Sequence, residues 1–473
     1  MKLFAKSCLL LLFGYFCSVK INAQACQGIS PQHVADIPST CGEMTMTMLH
    51  DQMGRNYLYV ANKMGGLKIW NTAMPEMPAQ AATVSFESLN ELDVISLSQE
   101  GAYLYLALGN IFNDDQLSGM AIIDVNDPQN PVVADVWDSD NLFGGAGIVK
   151  VDGDYAYLGA MGNGLMVLDV SNKSNIVFLS QFVPDINFPD PNPDPLKYNA
   201  RGMAVNDDLV YLCYDAGGLR IIDVSDKTNP VEVGRYANPE LNGLPRAYNN
   251  IVLANNLAYL AIDYCGLEIL DVSDPSQIDQ VGWWNPWDCQ SNPLNWFSSP
   301  GHTNEMAYNP DCKTIFLSTG KSDLYAVDIS DPANPDSCFS YGGISNNIGT
   351  WGVSAFENNI FLSYVCALIP FVSNWTGVKI LSYENNCVSD IKNEKKEIIN
   401  IFPNPVNDFL QIDFFRSDNC FLVVYDNLGR TVFSKKINTE FNGRIDFSNF
   451  KKGIYFLGIK VNGNFYSEKI IKM

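Results

Sequence analysis

Arg201, Arg246, Asn249, His302, Asn304, Glu305 and Trp351 are the residues through which this chain could meet a ligand. Registered on the strand that follows each, Gly147, Arg201, Asn249, Asn304 and Trp351 take comparable positions, and Arg246, His302 and Glu305 lie close by. A guanidinium, amides, a carboxyl and an indole are suited to recognising a small polar molecule. As a catalytic set they are incomplete. His302 is the only histidine of its region, no serine or cysteine is an evident nucleophile for it, and no Gly-rich nucleophile elbow occurs. A lone histidine is more often a hydrogen-bonded structural residue. The expectation is a binding site, with no residue assigned to catalysis.

Two further sets of residues carry candidate chemistry. Asp124, Asp169, Asp223, Asp271 and Asp328 recur at matching places and invite a calcium reading, but calcium needs several converging oxygens and no D-x-D-x-D-G loop is present. An aspartate opening a Val-Ser-Asp turn more simply accepts backbone N–H bonds, and Asn71 and Ser382 can do the same at the two ends. No metal or other cofactor is therefore expected. The segment "VGWWNPWDCQSNPLNWFSSPGHTNEMAYNPDC" gathers Trp283, Trp284, Trp287 and Trp296 between strands, where they would form either a rim platform for sugar rings or partner proteins, or a small core under the loop. Cys289 and Cys312 bracket it as a candidate disulfide. In "VPDINFPDPNPDPLKYNAR" the carboxylates of Asp185, Asp190 and Asp194 could meet a cation, although the alternating prolines read as a stiff solvated loop.

The chain has 473 residues with 35 glycines, 24 prolines and 12% aromatics, a composition suited to a turn-rich β protein. A net charge of −22 argues against nucleic acid and anionic membranes as partners. Lys2 and Lys6, an apolar run to Phe16 and small residues at Ala23 and Ala25 have the layout of a secretory signal peptide, taken as residues 1–23. No later stretch is apolar enough for a transmembrane segment. Of the twelve cysteines, Cys8 and Cys17 would leave with the signal, and an even remainder in an exported chain reads as disulfides.

The elements that must position these residues repeat. "AYLGAMGNGLMVLDVSN" starts at Ala156, "VYLCYDAGGLRIIDVSD" at Val210, "AYLAIDYCGLEILDVSD" at Ala258 and "IFLSTGKSDLYAVDISD" at Ile315. Looser copies start at Leu58, at Leu104 with an insertion in the hairpin, and at Ile360. Each reads as two alternating strands around a glycine-bearing turn, with a third strand before and a fourth after. Four antiparallel strands recurring at roughly 45–57 residues predict the blades of a β-propeller, seven in number. The inner strands then line an axial channel, and the residues named first sit at its mouth. The last blade lacks a fourth strand, which "SPQHVADIP" near the N-terminus supplies (residues about 30–37), removing a free sheet edge. Cys26 and Cys387 fall at this junction as a candidate disulfide, with Cys41 as the competing partner.

The G-L-x-I-x-D-V-S-D phrase resembles the hallmark of the LVIVD-repeat family, over about residues 40–385. The resemblance implies a propeller on exported or cell-surface proteins and does not imply one activity. The whole propeller is taken as 26–386, followed by a linker over 387–399.

From Cys387 on the chain changes character, with 13 Lys/Arg against 10 Asp/Glu and short strands split by turn residues. Pro403-Asn404-Pro405, Tyr425-Asp426-Asn427-Leu428-Gly429-Arg430, Gly453-Ile454-Tyr455 and a basic end at Lys472 follow in order. Residues 400–473 resemble the type A sorting domain of the Bacteroidetes type IX secretion system. That implies a small β-sandwich recognised by the type IX secretion machinery, with the protein secreted or held on the outer cell surface. The function expected is that of an extracellular interaction module for a protein or polysaccharide partner. The alternatives are glycan binding through the tryptophan loop, or hydrolysis at the axial mouth.

Overall fold

The computed structural model describes residues 30–113, 115–291, 302–319, 323–343, 349–366 and 373–383, and in the tail 400–413, 420–426, 431–437, 443–461 and 464–473. The signal segment, Cys26, Cys387, Trp296, Gly429 and Arg430 lie outside them. The chain divides into two compact units, one ending at Cys387 and one beginning at Val388.

Seven four-stranded antiparallel sheets make up the first unit. Their inner strands are Met48–His50, Val94–Glu100, Ile148–Asp152, Gly202–Asn206, Tyr248–Ala254, Met306–Asn309 and Gly349–Phe356. Blade four shows how the repeated phrase builds a sheet. Leu209–Cys213 pairs with Leu219–Asp223 in a hairpin that places Val210 opposite Ile222 and Cys213 opposite Leu219. The turn needs a glycine, because Gly218 has a φ of +77° and a β-carbon there would collide with the Tyr236 carbonyl of the outer strand. At the other end Asp223 Oδ1 accepts the Ser225 N–H at 2.8 Å, and Asp124, Asp169, Asp271 and Asp328 make the same bond two residues on. These carboxylates cap turns. Among the described residues no group of three His, Cys, Asp or Glu side chains is placed to hold a metal ion.

Strand alternation then decides the packing. Val210, Leu212 and Ile222 face blade three and meet Tyr157 and Val167, whereas Tyr211, Leu219 and Ile221 face blade five and meet Ile251 and Leu260. Each fully buried Leu, Ile or Val contributes about 1.5–3 kcal/mol, and one blade alone would leave both faces wet. The pairing between third and outer strands shifts register at the matching place in the first six blades, a bulge that sharpens the twist.

The ring closes with strands from both ends of this unit. Gln32–Pro38 pairs with Gly377–Ser382 as the outer strand of blade seven. Ile37, Met48, Leu58, Phe361 and Ile380 then form a core between blades seven and one. A disulfide joins Cys41 to Cys366. The Cys289–Cys312 pairing expected from the sequence is not formed: Cys289 is bonded to Cys265, in the central hairpin of its own blade, and Cys312 and Cys338 are each disulfide-bonded. Proximity along a loop misled because the hairpin of blade five reaches the loop first. Cys213 is a buried free thiol.

The second unit is a small β-sandwich. A three-stranded sheet (Asn400–Phe402, Phe409–Asp413, Arg444–Asp446) and a four-stranded one (Thr431–Ile437, Cys420–Asp426, Gly453–Val461, Asn464–Lys472) enclose Leu410, Leu422, Ile445, Phe447, Leu457 and Ile470. Within the Pro403-Asn404-Pro405 motif, Asn404 donates to the Lys469 carbonyl at 2.6 Å and accepts the Ile471 N–H at 2.9 Å, pinning the motif to the last strand. The Tyr455 hydroxyl donates to the Lys451 carbonyl at 2.8 Å, just beside Gly453. The Lys472 side chain is buried and donates to the Met473 carbonyl oxygen at 3.0 Å.

Candidate functional site

Five of the seven residues singled out at the channel mouth share one pocket. Arg201, Asn249, Asn304, Glu305 and Trp351 line a small pocket open to solvent, together with Gly147, Asn250, Ile95 and Ile111. These residues come from six blades, so only the closed ring assembles the pocket. Arg201 starts the inner strand of blade four and reaches across to blade seven, its guanidinium 5.5 Å from the Trp351 ring centroid. Among the described residues its side chain has no hydrogen-bond or ion-pair partner.

The opposite side presents acceptors. Asn249 donates its amide N–H to the Thr303 carbonyl at 2.7 Å, and Asn304 donates to the Thr350 carbonyl at 3.1 Å. Asn304 is 3% exposed, and its Oδ1 has no hydrogen-bond partner among the described residues. Thr47 donates to Glu305 Oε2 at 2.7 Å. Burial pushes the Glu305 carboxyl up to about 7, against the pull of that hydroxyl and of Lys150 and Arg201. Burial lowers Lys150 and raises the Asp215 carboxyl to about 6, the latter opposed by Arg201 and Asn199.

Two of the residues named from sequence lie elsewhere. Arg246 is buried behind the mouth: it donates to the carbonyls of Ala216 at 2.9 Å and Leu241 at 2.8 Å, and stands 3.6 Å from Asp190. Its sequence position matched the mouth, but backbone acceptors turn it inward. His302 pairs with Asp263 at 2.7 Å, packs against Tyr264, and supports the pocket from outside its lining. Of the two readings of the tryptophan segment, the packing of Trp283, Trp284 and Trp287 supports the small core. Trp284 is 5% exposed, donates to Ser337 Oγ and packs edge-on with Trp287, while Trp283 donates to the Cys265 carbonyl. Trp283 and Trp284 end the outer strand of blade five, Asp279–Trp284, so strand pairing with Leu267 and Glu268 holds them against the blade. In the Pro/Asp loop, Asp185 caps Asn187, Asp190 faces Arg246 and Asp194 caps Leu196, so each carboxylate already has a partner.

Sequence reasoning missed the contribution of blade two. The hairpin insertion noted after Leu104 brings Ile111 to the pocket and Phe112 against Trp351 at 6.0 Å, where Lys63 lies over the Phe112 ring. That insertion was the available signal. Asp215 and Asp263, in the central hairpins of blades four and five, were not singled out at all, although both feel Arg201.

The raised carboxyls make stability pH-dependent. Glu305 (4.5 to about 7), Asp215 (3.8 to about 6) and Glu268 (4.5 to about 7) hold their protons to higher pH when folded than when unfolded. These three groups bind more protons in the folded protein across this window, so their contribution to stability falls as pH rises from about 4.5 to 7, opposed by His50, which burial lowers to about 4. A melting series should show Tm declining through that range, with Glu305→Gln making the decline shallower. An unchanged slope in the variant would contradict the assignment.

The fold and its pocket define a seven-bladed β-propeller with a polar mouth on its axis, joined to a β-sandwich. The chain carries LVIVD repeats, matched over residues 143–183, 199–238, 245–285 and 316–342, and a secretion system C-terminal sorting domain over 400–473. The tail is a type IX sorting domain and marks the protein for secretion or the cell surface. The β-propeller domain of Cps50 (Swd1) from Myceliophteria thermophila is similar in fold, with a TM-score of 0.50 at 12% identity over 75% of this chain and 99% of that one. The WD40 β-propeller domain of Doa1 aligns with a TM-score of 0.49 at 8% identity, over 75% and 97% of the two chains. No curated protein matches the sequence. No helix among the described residues is long and apolar enough to cross a membrane.

Proposed function

We propose that the protein is an extracellular binding module, delivered by its sorting domain, whose site is the axial mouth. The observation that carries this reading is Arg201: a half-buried guanidinium without a hydrogen-bonding partner among the described residues, set in a pocket with the unpartnered Asn304 oxygen. The buried Asn304 oxygen is costly unless water or a ligand completes it, and the Arg201 guanidinium beside it is free to bond the same ligand. An extracellular protein or polysaccharide could present the group that fills the mouth. Glycan recognition through the tryptophan loop is less favoured, because Trp284 is buried and Trp283 and Trp287 are largely packed.

The test is a calorimetric and thermal-shift screen of the mature protein against small anions, zwitterions, neutral sugars and polysaccharides. Arg201→Met should weaken the ligand that binds by about 10- to 150-fold, the value of a charge-assisted hydrogen bond of about 1.5–3 kcal/mol. Undiminished affinity in the variant would place the site elsewhere.

A further inference from the structure

We infer that the mouth recognises a free α-amino acid with an apolar side chain; this deepens the binding reading above and rests on it. The pocket is divided by hydrogen-bonding sense. On the blade-four side, Arg201 offers only donors. On the blade-five and blade-six sides, Asn249 spends its N–H groups on the Thr303 carbonyl and the Asp263 carboxyl, and Asn304 donates to the Thr350 carbonyl. Their amide oxygens are therefore what remains for a ligand, and that of Asn304 is buried without a partner. Glu305 adds a carboxyl beside them. Ile95, Ile111 and the Trp351 ring supply apolar walls.

The complement of this arrangement carries a planar anion for the guanidinium, a cluster of N–H donors for the acceptors, and a compact apolar group. A carboxylate matches the Arg fork in two parallel bonds. An ammonium matches two amide oxygens and a carboxyl. A neutral sugar would satisfy the acceptors but offer the Arg201 fork no carboxylate to bond. A simple carboxylate such as acetate would do the reverse.

Titration of the full mature chain with L-leucine, N-acetyl-L-leucine, L-leucinamide, acetate and glucose tests this. The expected result is binding of L-leucine and at least tenfold weaker binding of both blocked forms, of acetate and of glucose. Asn304→Leu should weaken L-leucine at least tenfold. If the acetylated form binds as well as the parent, or glucose binds and leucine does not, the mouth is a ligand site and the amino-acid assignment is wrong. If no compound binds at all, the amino-acid assignment falls, while the binding reading is decided by the wider screen and Arg201→Met. Because the comparison of blocked and free ligands uses unaltered protein, a folding defect in the variant leaves the test intact.

Discussion

Replacing Cys41 and Cys366 together by serine is expected to lower the unfolding free energy of the propeller by about 3–5 kcal/mol. The bond spans 325 residues. The entropy that a cross-link removes from the unfolded chain rises with the logarithm of loop length, so a loop this long lies at the upper end of the range. The native side of the balance points the same way. The closing strand Gln32–Pro38 buries one of its seven residues fully, Ile37, and the rest are exposed or half-buried. Pairing to Gly377–Ser382 is thus held by backbone hydrogen bonds and one anchor, with the latch just beyond its end. Since domains are stable by about 5–15 kcal/mol, this loss removes a large share. Denaturant unfolding and protease susceptibility of the N-terminal strand would report it. A change below about 1 kcal/mol would show that the ring is held by blade packing alone.

Arg220→Met is expected to cost about 3 kcal/mol, by leaving one anion and three carbonyls without their donor. Arg220 is fully buried. Its Nε donates to the Gly217 carbonyl at 3.0 Å, one Nη to Glu232 at 3.0 Å, and the other to the carbonyls of Asp185 and Phe188, each at 2.9 Å. The guanidinium also packs against the rings of Phe188 and Tyr214. Two of those carbonyls belong to the Pro/Asp loop, so the side chain fastens that loop to the blade. Methionine fills much of the volume but leaves Glu232 with only Arg235 at 3.9 Å. Lysine keeps the charge without the planar fork, and should recover less than half of the loss. The measurements are equilibrium unfolding and limited proteolysis at 183–190. Wild-type behaviour of Arg220→Met in both would refute the anchoring role.

Much of the architecture was legible because it is periodic. The alternation in "GLRIIDVSD" assigns Ile221 and Ile222 to opposite faces, and the recurrence of the phrase says that each face has a neighbour of its own kind. The glycine and aspartate of the phrase answer to local backbone geometry, which needs no tertiary information. The Pro403-Asn404-Pro405 and Gly453-Ile454-Tyr455 motifs of the tail were readable for a similar reason, since each serves a turn or strand of its own small domain.

What the sequence by itself determined, then, was the unit, its repetition and the sorting tail, since short-range sterics and strand period are written residue by residue. The tertiary structure alone decided which way a side chain turns where periodicity stops. Arg201 and Arg246 were both assigned to the mouth, one by register and one by nearness, yet one faces the pocket and the other is consumed by the carbonyls of Ala216 and Leu241. Cys289 met Cys265 and not Cys312, and Trp284 and Trp287 packed against each other and Trp283 against blade five, because such contacts depend on distances that only the closed ring sets.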